Sequence, residues 1–158
     1  KRIFVTGFSN GASMALRLGV ELSERILAIA PVAGVLSVSP TSTSSPVSLL
    51  YISGSQDKRP ELPKDKQQTA LKNPIMTWAE ALNCPRPELK EIGTNVKMVS
   101  YTPCRGNSQV VTYTVSGMGH IYPGATTKLW AEGADNPANN LINATDIAWD
   151  FFSKITRE

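Results

Sequence analysis

The chain has 158 residues, of which 41% are hydrophobic and 18% charged, and its formal net charge is +3. This length and composition are typical of one folded domain with a buried core and exclude a disordered tail. No apolar run approaches the roughly 18 residues that a membrane-spanning helix needs. Lysines and arginines are spread along the chain without interleaved aromatic residues, so the sequence gives little support for nucleic-acid binding.

The first stretch of the chain combines a short β-branched run, a Gly-x-Ser-x-Gly turn and a helix-permissive segment that extends to about Leu22. Such a strand, sharp turn and helix is the setting of a nucleophile elbow. We therefore expect Ser9 at the apex, with Gly7 and Gly11 allowing strand and helix to cross closely. A simple helix-capping role for Ser9 is the alternative. The expected apolar stripe of the helix consists of Met14, Leu18 and Leu22, beside Ala15 and Gly19.

Further along the chain, apolar runs alternate with polar turns. The expected strands lie at 25–32, 47–53, 96–101 and 110–115. The first of these lacks polar alternation, as is typical of a strand covered on both faces in a parallel sheet, and we place Pro31 at its end. Two more helices are expected, one beginning at Pro74 and ending near Leu82, the other over 144–155. The second helix would dock through Ile147, Ala148, Phe151, Phe152 and Ile155.

Three local features allow more than one interpretation. Cys84 and Cys104 lie twenty positions apart and outside any Cys-x-x-Cys pair, so a disulfide and two buried free thiols both stay open, whereas a zinc site is disfavoured. Asn143 with Asp146 resembles a helix capping arrangement. Asn143 also begins a glycosylation sequon, and whether it is glycosylated stays open, although capping is the interpretation we favour.

Three chemically active residue types each follow the end of a different expected strand. Their order, Ser9, Asp57 and His120, is that of an α/β-hydrolase catalytic triad. A serine hydroxyl becomes nucleophilic when a neutral imidazole takes its proton, and a carboxylate holds that imidazole in one tautomer. Separately, Asp57 could be an ordinary turn residue and His120 a structural histidine. The three in this order indicate nucleophile, orienting acid and base.

Several stretches carry a closer resemblance. The sequence resembles the polyhydroxybutyrate depolymerase and feruloyl esterase group of secreted α/β-hydrolase serine esterases in its motifs at 2–15, 30–34, 54–57, 117–124 and 144–152. This resemblance implies a mostly parallel sheet flanked by helices, with Ser9 as nucleophile, His120 as base and Asp57 as acid. It also implies a Cys84–Cys104 disulfide, secretion or a periplasmic location, and no metal or organic cofactor.

The chain departs from that family pattern in four places. Tyr122 stands where the family usually has tryptophan, and Ser53 stands where it usually has histidine. The segment 58–61 replaces an apolar-Pro-Tyr segment, which leaves substrate preference open. The fourth is the absence of strands before the nucleophile strand. We therefore expect the chain to be the C-terminal portion of a catalytic domain, with a partial α/β-hydrolase fold and an unpaired edge at residues 3–5.

The expected function is carboxylic-ester hydrolysis through an acyl-enzyme. Feruloyl or acetyl esters of plant polysaccharide and short hydroxyalkanoate polyesters are the expected substrates, with Phe8 and Tyr122 lining the pocket. The backbone N–H of Asn10 is expected to be one oxyanion donor, and the missing N-terminal half would supply the other. The alternatives are a serine peptidase on the same fold and a non-catalytic binding module or a fragment inactive without that half.

Overall fold

A computed structural model describes residues 2–40, 45–57, 74–125 and 140–156. The expected loops over 57–66 and 124–140 lie almost entirely outside these residues, and so does the departure from the family pattern at 58–61. None of the helices in the described ranges is long and apolar enough to cross a membrane.

The described residues form six strands and three α-helices, joined by turns. In chain order these are β1 (Phe4–Phe8), α1 (Asn10–Glu21), β2 (Ala28–Val32), β3 (Ser48–Gly54), α2 (Pro74–Ala81), β4 (Glu88–Ile92), β5 (Val96–Tyr101), β6 (Val110–Val115) and α3 (Ala144–Ser153). Every expected helix and strand is present, with β2 beginning three residues later than its apolar run. Pro31 lies inside β2, paired with Gly7, and not at its end.

The strands form one sheet in the order β1-β2-β3-β6-β5-β4. The pairs β1–β2, β2–β3 and β3–β6 are parallel, whereas β5 is antiparallel to both β6 and β4. A mostly parallel α/β sheet is therefore confirmed. Because parallel strands point the same way, the turns that follow β1, β3 and β6 all lie at the same end of the sheet, where these strands end.

Strand β4 was not expected from the sequence. It pairs with β5 from Glu88 opposite Ser100 to Ile92 opposite Val96, and all five of its residues are exposed. Its sequence, Glu-Leu-Lys-Glu-Ile, offers no apolar face that would mark it as a strand. Pairing with β5 therefore determines its structure more than its own composition does.

Helices cover both faces of the sheet. On one face, α1 and α2 bury Leu16 and Trp78 against Ile29 and Leu49. On the other face, Phe151 and Phe152 of α3 pack over a cluster that includes Ala30, Leu50 and Ile52. Burial from both sides explains why β2 needs a continuous apolar sequence.

The expected apolar stripe of α1 is correct only in part, because Ala15 and Gly19 are buried and Leu18 is half-buried against the core. Met14 and Leu22 are exposed, and the helix instead buries a face made largely of small residues, namely Ala12, Ala15, Leu16, Gly19 and Val20. A Cβ on Gly19 would lie only 2.9 Å from Ile29 Cδ1. The close approach at Gly19 allows small side chains to share the inward face of the helix with Leu16 and Val20.

The interpretation of the last helix is correct. Ala148, Phe151, Phe152 and Ile155 are buried, and Ile147 is half-buried. Asn143 caps α3, because its side-chain oxygen accepts the backbone N–H groups of Thr145 at 3.0 Å and Asp146 at 3.2 Å.

The two cysteines form a disulfide, as the family resemblance implied. Cys84 Sγ and Cys104 Sγ are bonded, and the bond closes a segment of 20 positions. That segment contains the whole β4–β5 hairpin. The bridge therefore joins the end of α2 to the turn after β5, at the base of the hairpin.

Candidate active site

The turn between β1 and α1 has a backbone conformation that few side-chain-bearing residues adopt. Ser9 lies between the two elements with φ 54° and ψ −115°, in a region disfavoured for residues with a Cβ. Its N–H donates to Val32 O at 2.9 Å, which anchors the turn to β2. A sharp turn with serine at its apex is therefore present.

The two glycines of this turn play different parts. A Cβ on Gly7 would lie 2.4 Å from the carbonyl carbon and oxygen of Gly11, so the strand and helix can cross only because Gly7 has no side chain. A Cβ on Gly11 would meet no atom of the described residues within 4 Å. The expectation of a close crossing is confirmed for Gly7, whereas for Gly11 the expected need for a missing side chain is wrong.

The capping alternative for Ser9 is also wrong, since its side chain makes no capping hydrogen bond to α1. Ser13 interacts with the turn instead. Its backbone N–H donates to Ser9 O at 3.0 Å, its hydroxyl donates to the same oxygen at 3.3 Å, and it accepts Val35 N–H at 2.9 Å. These bonds hold the carbonyl of Ser9 and leave its hydroxyl available.

Three side chains meet at the carboxyl ends of the parallel strands. His120 Nε2 lies 2.8 Å from Ser9 Oγ, and His120 Nδ1 lies 2.9 Å from Asp57 Oδ1. The residues are 111 and 63 positions apart from His120 along the chain, so the fold alone brings them together. A carboxylate at Nδ1 favours the tautomer that leaves Nε2 free to accept the serine proton.

Burial differs along this hydrogen-bonded series. The side chain of Asp57 is only 5% exposed, whereas that of His120 is 36% exposed. Asp57 Oδ2 is buried and has no hydrogen-bond partner among the described residues. Within the same ranges, His120 is therefore the side chain that offsets the cost of burying the Asp57 carboxylate. The imidazole thus lies between a buried acid and a hydroxyl that solvent can reach.

Of the two residues expected to line a pocket, Phe8 lies beside the imidazole and Tyr122 packs against Phe8. The ring centroids of Phe8 and His120 are 5.0 Å apart with an interplanar angle of 31°. Tyr122 meets Phe8 edge to face at 6.0 Å, and its hydroxyl lies 3.0 Å from Thr145 Oγ1. The two aromatic rings thus form a wall that lies against His120 through Phe8.

The backbone N–H of Asn10 lies directly after Ser9. Because Asn10 is the first residue of α1, no carbonyl of its own helix accepts this N–H. Amides at a helix N-terminus attract negative charge, so this group is suited to an oxyanion.

Two cavities lie away from these residues. One, of about 500 Å³, is lined by Ser48 and Ser108 among others, near the start of β3. The other, of about 440 Å³, lies between α3 and the strands β5 and β6. Burial raises the pKa of Tyr113, which lines the second cavity, above its ordinary value, and nearby Asp150 raises it further.

Within the described ranges, no cluster of three or more His, Cys, Asp or Glu side chains could hold a metal ion.

Sequence comparison relates the chain to proteins named as esterases. It is 27% identical to the putative esterase NocK of Nocardia uniformis subsp. tsuyamanensis, over 94% of this chain and 50% of NocK. It is 29% identical to feruloyl esterase B of Piromyces equi, over 76% of this chain and 25% of that enzyme. No protein-family model matches the sequence. The chain thus spans at most about half the length of these curated relatives.

Proposed function

We propose that this chain carries the nucleophile, base and acid of a serine carboxylic-ester hydrolase. The observation that carries the proposal is the hydrogen-bonded series from Ser9 Oγ through His120 to Asp57. The strained backbone at Ser9 supports it, because such conformations concentrate at functional sites. The names of the two distant relatives point to the same type of reaction.

The reaction would proceed in two halves. Ser9 Oγ attacks the ester carbonyl while His120 Nε2 takes its proton, and the imidazolium then returns that proton to the leaving alcohol. A water molecule next attacks the acyl-Ser9 carbonyl and gives a proton to His120. The bond from the acyl carbon to Ser9 Oγ then breaks, the imidazolium returns the proton to Ser9 Oγ, and the carboxylic acid leaves. Asp57 stabilises the imidazolium in both halves. This chemistry requires no metal and no organic cofactor.

The negative charge of each tetrahedral intermediate needs hydrogen-bond donors. The Asn10 N–H is one candidate, and removal of a single oxyanion donor typically costs about 100- to 1000-fold in turnover. We propose that a second donor comes from an N-terminal part of a longer enzyme, of which this chain is the C-terminal catalytic portion. Two observations support this: β1 is an edge strand of the described sheet, and both relatives are much longer than the matched region.

The substrate proposal rests on the wall of aromatic rings. Phe8 and Tyr122 offer apolar surface next to His120, which suits hydroxycinnamoyl or acetyl esters of plant polysaccharide, or short hydroxyalkanoate polyesters. The relative named feruloyl esterase B favours the first class. The Cys84–Cys104 disulfide supports a secreted or periplasmic enzyme, because disulfides persist in oxidising compartments.

One observation favours a second candidate. With β1 at the edge of the described sheet and Asn10 as the single oxyanion donor identified, the chain by itself could be a non-catalytic module or an inactive fragment. This candidate differs from the first only in whether Ser9 reacts without additional chain.

The test is labelling with a fluorophosphonate probe, followed by peptide mass spectrometry to locate the adduct. We expect an adduct on Ser9, and a labelling rate lower by at least about 10⁴-fold in His120→Ala, because the base is lost. Leu89→Ala, in the exposed strand β4, is the control that should label normally. A folded sample without an adduct would rule out activity of this chain alone. Rates on feruloyl, acetyl and hydroxybutyrate esters would then rank the substrate classes.

A further inference from the structure

Two short turns carry the acid and the base. The acid turn (residues 54–57) starts at Gly54, the last residue of β3, and ends in Asp57. The histidine turn (residues 116–120) follows β6 and ends in His120. The turns are packed together without a gap, since a Cβ on Gly54 would lie only 2.1 Å from Met118 O. Met118 itself is fully buried. This contact between the two turns therefore helps to set the distance between Asp57 and His120.

Besides the contact between His120 and Asp57, three hydrogen bonds join the acid turn to β6 and the histidine turn. Ser55 N–H donates to Val115 O, and Gln56 N–H donates to Met118 O, both at 2.9 Å. The third bond is different, because the backbone N–H of Gly117 donates to the side-chain hydroxyl oxygen of Ser55 at 3.0 Å. Residues of almost any type could form the first two bonds. The third requires a side chain with an acceptor at position 55, here the hydroxyl of Ser55.

We propose that Ser55 is a positioning residue, which holds the histidine turn against the acid turn so that His120 Nδ1 stays on Asp57. Ser55 is two residues from the acid, and its partner Gly117 is three residues from the base. Gly117 has φ +76°, a conformation that favours glycine, and its N–H donates to the Ser55 hydroxyl. The expected effect of Ser55 on catalysis rests on the proposed function, whereas the contact between the two turns does not.

Removal of the hydroxyl would break the hydrogen bond from Gly117 N–H to Ser55. The histidine turn would then be held less firmly against the acid turn, and His120 Nδ1 would spend more time away from Asp57. One neutral hydrogen bond corresponds to a factor of about five in such an equilibrium. The effect is thus expected at the base, whereas the binding of substrate is expected to change little.

The direct test is NMR of the His120 Nδ1 proton in the folded chain. In Ser55→Ala we expect this proton to exchange with solvent about fivefold faster. Ser55→Thr retains the hydroxyl, and the exposed position has room for the added methyl group, so the slow exchange should return. Ser116→Ala is the matched control, because the structure gives its hydroxyl no partner among the described residues and its backbone N–H bonds Asn95 O. Equal exchange in Ser55→Ala and Ser116→Ala would overturn the proposal.

Labelling of Ser9 separates this inference from the proposed function. We expect the labelling rate to fall about fivefold in Ser55→Ala, but not to fall further when Ser55→Ala is added to Asp57→Asn, because both act through the same contact. A full additional loss in the double variant would contradict a role through Asp57. If Nδ1 exchange responds as expected while the unsubstituted chain forms no adduct, the positioning role stands and the proposed activity of the chain fails.

Discussion

The parallel part of the sheet and the β4–β5 hairpin belong to one sheet but differ in almost every property. All five residues of β2 are buried, whereas all five of β4 are exposed. The candidate catalytic residues all follow parallel strands, and none lies in the hairpin. The acid and histidine turns thus follow strands that are largely buried, whereas the serine turn follows the half-buried edge strand β1 and is anchored to β2 through Ser9.

The two regions are also held by different means. Apolar clusters on both faces hold β1, β2, β3 and β6, with Leu50 fully buried at the centre of one of them. The hairpin has little burial of its own, and the Cys84–Cys104 disulfide closes it at its base. We infer that burial protects the candidate site, while a covalent bond restrains the hairpin.

A leucine-to-alanine substitution in each region should test this difference most clearly. Leu50→Ala removes a fully buried side chain and should lower the free energy of unfolding by about 2–5 kcal/mol. Leu89→Ala acts on a side chain that is 59% exposed in β4 and should change stability by less than about 0.5 kcal/mol. Urea unfolding of both variants measures the difference. Similar losses in the two would show that the hairpin contributes to the core.

Removal of the disulfide tests how far the hairpin depends on its covalent restraint. Cys84→Ser combined with Cys104→Ser should lower the free energy of unfolding by about 3 kcal/mol, the loop-entropy value for a segment of this length. Hydrogen exchange should increase first within 84–104, because that segment loses its restraint. Exchange that increases equally in β2 and β3 would mean that the bridge supports the parallel part too.

Effects of opposite sign are expected at the two glycines of the serine turn. Gly7→Ala places a Cβ against the Gly11 backbone and should cost about 1–3 kcal/mol. Gly11→Ala adds a methyl group in open space near the start of α1 and should stabilise by about 0.5–1 kcal/mol. Thermal unfolding of the pair distinguishes them. A loss of stability in both would contradict the open space seen at Gly11.

Much of the architecture was predictable because it depends on local patterns. The apolar runs located five strands, and Asn143 with its following residues gave the cap of α3. The face of α1 was not predictable, because its orientation depends on how closely Gly19 approaches Ile29, and no local pattern encodes that distance. The antiparallel direction of β5 and the presence of β4 likewise depend on strand pairing.

The candidate site divides in the same way. Ser9, Asp57 and His120 were identifiable from residue type, order and position after strands, which are properties of the chain as written. Their contacts, the closeness of Gly54 to Met118 and the bond from Gly117 to Ser55 arise between residues that are 62 to 111 positions apart. Contacts at such separations exist only once the parallel strands have been packed side by side, because the sheet, and not any local segment, sets the distance between the turns.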